Sequence, residues 1–315
     1  MPIITNCEEV RAVYKNASQR KWVIPCLCSE NLTTTEAILT ATQDFAIENN
    51  LSKVPISLAI TVRYDHRAQS ENYTHTRDWS TGLKLFKADA KILANSGLFP
   101  NVDILLHLDH VQHDKDKELL SWDLSDFSSI MFDASTLPFD ENILATAEFV
   151  KKMKSSIVIE GACDEIFDAS GNEHNALSTP ENAERFYHET GADMIVANLG
   201  TEHRASGQVL HYYGDVAEQI RDKIGQNIVL HGLSSVPLSQ VKNLYHDGVC
   251  KANIWTILER DASVILLDEM LKNSDKIAGS NAKISHFTTM YRQDIVFNEM
   301  KKIIRSYLDM WYTTP

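Results

Sequence analysis

The sequence lacks features that mark several specialised classes of protein. No apolar run approaches the roughly 18 residues that a membrane-spanning helix needs. Residues 1–18 contain no apolar segment typical of a secretion signal. Only five cysteines occur in 315 residues, and an odd number in a chain of this length argues against a disulfide framework. We therefore expect a cytoplasmic protein with no membrane partner.

Basic residues are also fewer than acidic residues. The chain has 30 lysines and arginines against 43 aspartates and glutamates, and its formal net charge is −13. Since no basic stripe offsets this excess, a nucleic acid is not expected as a partner. An anionic small substrate stays compatible with the sequence, because it needs only a local positive site. The close pair Cys26 and Cys28 lies in an apolar run, which favours small buried thiols over a zinc site.

Eight short apolar runs alternate with segments of helical periodicity. Most of these runs are nearly continuous rather than alternating, which is typical of strands covered on both faces of a parallel sheet. The predicted strands are residues 22–28, 54–61, 102–108, 129–133, 156–160, 194–198, 227–231 and 249–254. The predicted helices are residues 34–48, 80–95, 141–154, 180–189, 213–224 and 238–246. Eight alternations predict a (β/α)8 TIM barrel, an α/β fold, with a doubly wound open sheet as the alternative.

The chain is predicted to form one barrel domain over residues 1–315. Residues 262–315 are predicted to be a C-terminal helical tail, whose amphipathic part, 299–311, packs on the barrel or on a partner subunit. The segment 161–182, after the fifth predicted strand, has little periodicity. Loops of this length in compact domains are usually functional lids or disordered. Its position places it at the catalytic mouth of a barrel.

Three predicted strand ends carry a histidine. Catalytic residues of barrels lie at the carboxyl ends of the strands, and the ends of strands three, six and seven offer His110, His203 and His231. Three neutral imidazoles with an open fourth position make a catalytic zinc site. A lone histidine is more often an ordinary core or surface residue, so the prediction of a divalent metal depends on the coincidence of all three.

Six motifs, in order along nearly the whole chain, resemble the class II, metal-dependent ketose-bisphosphate aldolases. They are His107-Leu108-Asp109-His110, Met131-Phe132-Asp133-Ala134-Ser135, Ile159-Glu160, the run from Pro180-Glu181 through Thr190-Gly191-Ala192-Asp193 to Gly200 and His203, His231-Gly232-Leu233-Ser234-Ser235, and Lys251-Ala252-Asn253-Ile254-Trp255-Thr256. The resemblance implies reversible cleavage of a phosphorylated ketose, or a related acidic sugar, into dihydroxyacetone phosphate or a similar fragment and an aldehyde. It also implies a homodimer or a larger homo-oligomer.

The resemblance assigns roles to individual residues. His110, His203 and His231 would bind Zn²⁺ or another divalent transition metal, and the site could also take a monovalent cation. Asp109 would move a proton at the hydroxyl-bearing carbon, and its alternative role is to orient a metal-binding histidine. Asn253 would donate a hydrogen bond to the enediolate.

Two further carboxylates and a set of mouth residues complete the expected site. Asp133 and Glu160 resemble carboxylates that support the metal or bind a second cation, with a structural salt bridge as the alternative. Substrate and phosphate are expected to bind where glycine-rich turns lead into helices. The residues expected there are Gly200, Arg204, Gly232, Ser234, Trp255 and Thr256.

The sequence departs from the family pattern at positions near the substrate. Arg204, Leu233 and Ser235 replace glycines, Trp255 replaces an acidic or small residue, and Ala162 replaces a carboxylate. These changes put the standard fructose bisphosphate substrate in doubt. The guanidinium of Arg204 is a candidate clamp for a carboxylate or phosphate, and a surface or inter-subunit salt bridge is its alternative role.

The catalytic acid of the 161–182 loop stays open between Asp164, Glu165, Asp168 and Glu173. Two other functions also stay open. One is a metal-dependent lyase or epimerase acting on a 2-oxo acid sugar, which Arg204 and Trp255 suggest. The other is a non-catalytic sugar-phosphate-binding barrel, against which the intact Asp109 and the three histidines argue.

Overall fold

A computed structural model describes residues 3–166, 177–204 and 211–313 of the chain. Eight parallel strands close into a barrel, in which each strand pairs with the next and β8 pairs with β1. The predicted (β/α)8 barrel is therefore confirmed. The strands are β1 Ile24–Cys28, β2 Val54–Thr61, β3 Val102–Gln112, β4 Ser129–Asp133, β5 Val158–Ala162, β6 Met194–Val196, β7 Ile228–Leu230 and β8 Val249–Ile254.

Helices follow the strands and surround the barrel. They are α1 Cys7–Gln19, α2 Leu32–Glu48, α3 Gln69–Asn72, α4 Trp79–Asn95, α5 Phe139–Met153, α6 Pro180–Thr190, α7 Gly214–Ile224, α8 Leu238–Val241, α9 Thr256–Lys272, α10 Ser274–Ala278, α11 Ile284–Phe287 and α12 Thr289–Tyr312. Within the described ranges, none of these helices is both long enough and apolar enough to cross a membrane.

The strands have apolar sequences because both of their faces are covered. Every residue of β1, β2 and β4 to β8 is buried, and in β3 only Asp103 is partly exposed. One face points into the barrel and the other packs against the helices. Cys26 and Cys28 are buried free thiols, as the sequence predicted, and burial raises the pKa of Cys26 to about 12.

Two helices show where local sequence signals succeed and fail. Thr179 caps α6 by accepting from the Asn182 N–H, and Gly191 ends the helix in the left-handed region at φ +66°. The predicted helix 238–246, by contrast, is helical only over α8. Beyond it, backbone bonds such as His246 N–H to Asn243 C=O span three residues, so the chain continues as a series of turns.

The first and last helices pack against different elements. Helix α1, which the sequence analysis did not predict, packs against β5 and β8, and Arg11 pairs with Asp193 just before β6 at 2.9 Å. Helix α12 packs against α2 and α9. Its Tyr312 hydroxyl donates to the Pro55 carbonyl at 2.6 Å. Residue 262, the predicted start of the tail, lies within α9.

Candidate active site

A bulge in β3 directs the side chains of two consecutive residues, Asp109 and His110, into the candidate active site. Side chains alternate between the two faces of a strand, so His107 and Asp109 face the barrel interior and His110 would face away. The pairing of β3 with β4 shifts register between Leu108 and Val111, and His110 has φ +48°. A bulge re-aims a side chain in this way. The strand was predicted to end at residue 108, but it continues through the motif to Gln112.

Three histidines from separate segments meet at the carboxyl-terminal mouth of the barrel. One ring nitrogen from each of His110, His203 and His231 lies within 4.8 Å of the others. His110 Nε2 and His231 Nδ1 are 3.1 Å apart. Two nitrogens bound tetrahedrally to one zinc ion at about 2.0–2.1 Å lie about 3.3 Å from each other. The described geometry therefore fits a shared divalent cation.

The protonation and partners of these rings also suit a metal. His203 Nε2 and His231 Nε2 are buried and have no hydrogen-bond partner within the described ranges. Burial, reinforced by His110 and Arg67, holds the pKa of His203 well below its ordinary value. Burial also lowers the pKa of His231, although Asp109 opposes this shift. Both rings are thus neutral at pH 7, which is the form that binds metals.

His110 is held in place by two neighbours. Its Nδ1 lies 3.0 Å from Asp133 Oδ2, and the Tyr64 ring stacks on its ring with centroids 4.0 Å apart and planes 6° apart. The carboxylate fixes the tautomer that leaves Nε2 free for a cation, as carboxylate–histidine pairs do in metal sites. Ser135 in turn donates to Asp133 Oδ1 at 2.7 Å. Asp133 therefore lies where the sequence predicted a carboxylate that supports the metal.

Asp109 lies beside the histidines, fully buried, with both carboxylate oxygens engaged. Oδ2 accepts from Arg67 Nη2 at 2.9 Å, and Oδ1 accepts from Asn253 Nδ2 at 3.1 Å. Burial alone would raise the pKa of Asp109, but the nearby His110 and Arg67 outweigh it and keep the pKa well below its ordinary range. Its distance of 4.0 Å from His231 Nε2 exceeds a hydrogen bond. The Asp109 carboxylate is therefore ionised and is not hydrogen-bonded to His231.

Glu160 lies deeper in the barrel, in an ion pair. Its Oε1 is 2.5 Å from Lys251 Nζ, and Lys251 Nζ is 3.1 Å from His107 Nε2. The other nitrogen of that ring, Nδ1, is 2.8 Å from Ser129 Oγ. His107, Glu160 and Lys251 are fully buried. The described contacts of Glu160 therefore favour the salt-bridge alternative that the sequence left open for it.

A cavity beside the histidines collects most of the predicted substrate-binding residues. We call it the mouth cavity, and its lining includes Arg67, His203, His231, Gly232, Ser234, Asn253, Trp255 and Thr256. Gly232 has φ +68°, and a Cβ there would come within 2.8 Å of the Glu202 carbonyl oxygen, so this turn requires glycine. Helix α9 begins at the cavity, and Trp255, which precedes it, makes no side-chain capping bond.

Two predicted substrate residues lie elsewhere among the described parts of the chain. Gly200 packs under the ring of Tyr213, and a Cβ there would come within 2.5 Å of that ring. Arg204 is exposed and has φ +56°. Neither is a lining residue of the mouth cavity. Their roles in substrate binding stay predictions.

A second cavity, which His110 lines, contains two of the four candidate loop acids. Its lining includes Tyr64, His66, His110, Asp133, Asp164 and Glu165. Asp164 accepts a hydrogen bond from Ser178. Burial and the charge of Asp133 raise the pKa of Glu165. Asp168 and Glu173, the other two candidates, lie outside the described residues.

The segment after β2 was missed by the sequence reasoning. It provides Tyr64 against His110 and Arg67 against Asp109. Neither belongs to a motif of the family resemblance, and the strand ends were read only from the third strand onward. The signal was nevertheless present, because Tyr64-Asp65-His66-Arg67 directly follows a buried strand of a predicted barrel.

Comparisons with known proteins show the family and agree with the fold. The family model described as fructose-bisphosphate aldolase class-II matches residues 8–313. The structure of fructose-bisphosphate aldolase (Fba) from Campylobacter jejuni is 18% identical, covering 98% of this chain and 95% of that chain with a TM-score of 0.76. The YdjI aldolase from Escherichia coli K12 is 19% identical, covering 96% of each chain with a TM-score of 0.67.

The two structural likenesses show a shared fold, and the family match extends over almost the entire chain. The match includes all three histidines and Asp109, whose convergence is described above. The chain therefore belongs to the class II fructose-bisphosphate aldolase family and is a metal-dependent aldolase.

Proposed function

We propose that this aldolase reversibly cleaves a phosphorylated ketose, or a related acidic sugar, into dihydroxyacetone phosphate or a similar fragment and an aldehyde. One observation carries the proposal: three imidazoles and an ionised Asp109 meet beside a cavity that is lined by the uncapped start of α9. Unpaired N–H groups at a helix start attract phosphate. The cavity thus offers one place for chemistry and another for an anion.

His110, His203 and His231 would hold the divalent cation. Zinc is the proposed ion, and other first-row transition metals also accept imidazole. When bound, such a cation polarises a carbonyl oxygen and stabilises developing negative charge. The buried and unpartnered His203 Nε2, together with Asp133 behind His110, supports this assignment. A monovalent cation near the same mouth is part of the proposal.

Asp109 and Asn253 would carry the proton and the charge of the cleavage step. Asp109 takes the proton of the hydroxyl group whose carbon becomes the aldehyde carbon. The electrons of that O–H bond form the new carbonyl, and those of the broken C–C bond pass to the other fragment as an enediolate. Asn253 Nδ2 has two hydrogens, of which one goes to Asp109. The second can go to the enediolate oxygen, where a positioned donor stabilises charge.

Glu165 is the loop acid that we assign to protonate the enediolate carbon. It lines the cavity beside His110, and Asp164 is engaged with Ser178. Burial raises the pKa of Glu165, and a carboxyl group with a raised pKa is a better acid near neutral pH. Replacement by Gln is expected to slow product formation more than binding.

A cytoplasmic location and a homodimer or larger assembly belong to the same proposal. The cysteines are free and buried, which suits a reducing compartment. Helix α9 exposes Val264, Leu267 and Leu271, and α11 exposes Ile284, which suits a contact between subunits. No nucleic-acid partner is proposed.

The test is a screen of phosphorylated ketoses with the zinc-loaded enzyme, in which triose phosphate and aldehyde are measured as products. We expect cleavage of at least one substrate, and Asp109→Asn should lower kcat by about 10²- to 10⁴-fold while bound zinc stays constant. The exposed Asp114→Asn is the matched control. Release of a 2-oxo acid, or no turnover with any member, would contradict the proposal.

A further inference from the structure

Arg67 is a buried cation at the mouth that no step of the proposed reaction uses. Only 11% of its side chain is exposed. The guanidinium carbon lies 4.9 Å from the centroid of the Trp255 ring, so the indole holds the guanidinium from one side. Arg67 lines the mouth cavity together with Gly232, Ser234 and Thr256. It therefore faces the region in which a phosphate group is proposed to bind.

One N–H group of the Arg67 guanidinium has no hydrogen-bond acceptor within the described residues. Nη2 donates to Asp109 Oδ2 at 2.9 Å and lies 3.6 Å from Cys28 Sγ. Nε is buried and has no hydrogen-bond partner in the described part of the chain. An unpaired buried guanidinium N–H is costly, and such groups in folded proteins usually find an acceptor. A ligand that brings an acceptor atom to Nε would satisfy this remaining N–H group of Arg67.

The surroundings of Arg67 Nε favour a phosphate oxygen as its hydrogen-bond acceptor. Thr256 and Ile257, the first residues of α9, line the same cavity, and Trp255 before them makes no side-chain capping bond. Gly232, whose positive φ lets its turn pack against Glu202, also lines this cavity. Asp109 and Glu30 are the acidic neighbours of Arg67 and keep its guanidinium charged against the effect of burial. Arginine offers two edges, so one can hold a carboxylate while another holds a phosphate.

We propose that Arg67 is the specificity-determining residue of the site, which binds the substrate phosphate through Nε and ties it to Asp109 through Nη2. This inference rests on the proposed function for the identity of the phosphate carrier. It differs from the predicted clamp at Arg204, which is exposed and outside the lining of the mouth cavity. In the competing arrangement, Arg67 is only the counter-ion of Asp109.

The first experiment measures binding of inorganic phosphate to the zinc-loaded enzyme by calorimetry, which needs no turnover. Arg67→Gln should weaken phosphate binding at least tenfold. Arg67→Lys should weaken it nearly as much, because lysine keeps the charge and loses the Nε edge. The control is Arg63→Gln, since Arg63 is on the same segment but stacks on Trp79 outside the cavity. Equal affinity in wild type and Arg67→Gln, or no phosphate binding by the wild type, would overturn the proposal.

The second experiment separates recognition from a merely structural role. The ratio of kcat/KM for a phosphorylated ketose to that for its unphosphorylated analogue should fall at least tenfold in Arg67→Lys. Melting temperature and bound zinc should stay close to wild type. A counter-ion role would lower both kcat/KM values equally and leave the ratio unchanged, which overturns the proposal. If the ketose screen fails but phosphate still binds in an Arg67-dependent way, the proposed function falls and this inference stands.

Discussion

The barrel interior contains two polar layers, and they differ in whether oppositely charged side chains meet within them. The inner layer consists of His107, Glu160 and Lys251. Lys251 Nζ lies 2.5 Å from Glu160 Oε1 and 3.1 Å from His107 Nε2, and the Glu160 oxygens have no further hydrogen-bond partner within the described ranges. The outer layer consists of the three histidines at the mouth. There, ring nitrogens of His203 and His231 are buried without partners within the described ranges.

This difference distinguishes a layer with a structural role from a layer that can bind a ligand. A polar group inside a protein costs free energy unless it is hydrogen-bonded, so a purely structural layer is expected to be closed. The inner layer approaches that expectation, because Lys251 contacts both Glu160 and His107. The outer layer consists of imidazoles alone, and one ring nitrogen from each of its three histidines lies within 4.8 Å of the others. Convergence of such ligand atoms from separate segments is therefore the better guide to a ligand site than buried polarity alone.

Breaking the outer layer should have the largest effect. His231→Ala removes one of three proposed ligands, and we expect the zinc-to-chain ratio after dialysis to fall towards zero and turnover to be lost. Because the imidazole pairs with little else, the free energy of unfolding of the metal-free protein should change less than in the inner-layer variant below. Metal analysis and urea unfolding check both parts. His188→Ala, on the exposed face of α6, is the control; a full zinc complement in His231→Ala would contradict the assignment.

Breaking the inner layer should instead destabilise the fold. Lys251→Met leaves the Glu160 charge buried without its partner, which costs about 3–5 kcal/mol of unfolding free energy. The double variant Glu160→Leu with Lys251→Met should recover much of this loss, since neither charge then remains. Urea unfolding of the single and double variants measures the difference. If Lys251→Met were as stable as wild type, the Glu160–Lys251 ion pair would not stabilise the inner layer.

A smaller effect on the outer layer is expected from a change at Asp133, the carboxylate that contacts His110. Asp133→Asn keeps the shape of the side chain but removes the charge that orients His110. Loss of such a partner typically weakens metal binding by about 10- to 100-fold. Zinc affinity from chelator competition is the measurement, and Asp140→Asn, near the start of α5, is a control. Unchanged affinity would make the Asp133 contact dispensable.

Much of this arrangement could be predicted from the sequence. The near-continuous apolar runs predicted eight strands, and the rule that barrel sites lie at strand ends brought His110, His203 and His231 together. The strand boundaries were less accurate: β7 ends at Leu230 and β6 at Val196, which leaves His231 and Asn198 in the following segments. Helix α1 was overlooked, although Asn6 and the two glutamates after it form a capping signal.

The parts that could not be predicted depend on contacts across the barrel. Lys251 and Glu160 are 91 positions apart in the chain, and their pairing follows from strand register, which the sequence does not reveal. The bulge that turns His110 inwards has no sequence mark either, because glycine is the residue that most often takes a positive φ and the motif from His107 to His110 contains none. Arg67 could have been found only by reading the end of β2 with the same rule as the others.

The smallest predicted effect lies at the rim, where Glu259 in the first turn of α9 carries an unpaired carboxylate oxygen within the described ranges. Burial, with a contribution from Glu30, raises the pKa of Glu259 to about 7. A raised carboxyl pKa means that folding favours the protonated form, so this contribution to stability is complete near pH 4, is lost as the pH rises from about 4.5 to about 7, and is level above that. Glu259→Gln should therefore match wild type at pH 4 and exceed it by about 1–2 kcal/mol at pH 8, discounted for partial exposure. Unfolding free energies at both pH values, with the exposed Glu181→Gln as control, test this, and a difference independent of pH would mean that the rim carboxylate, unlike the nitrogens of the outer layer, is adequately solvated.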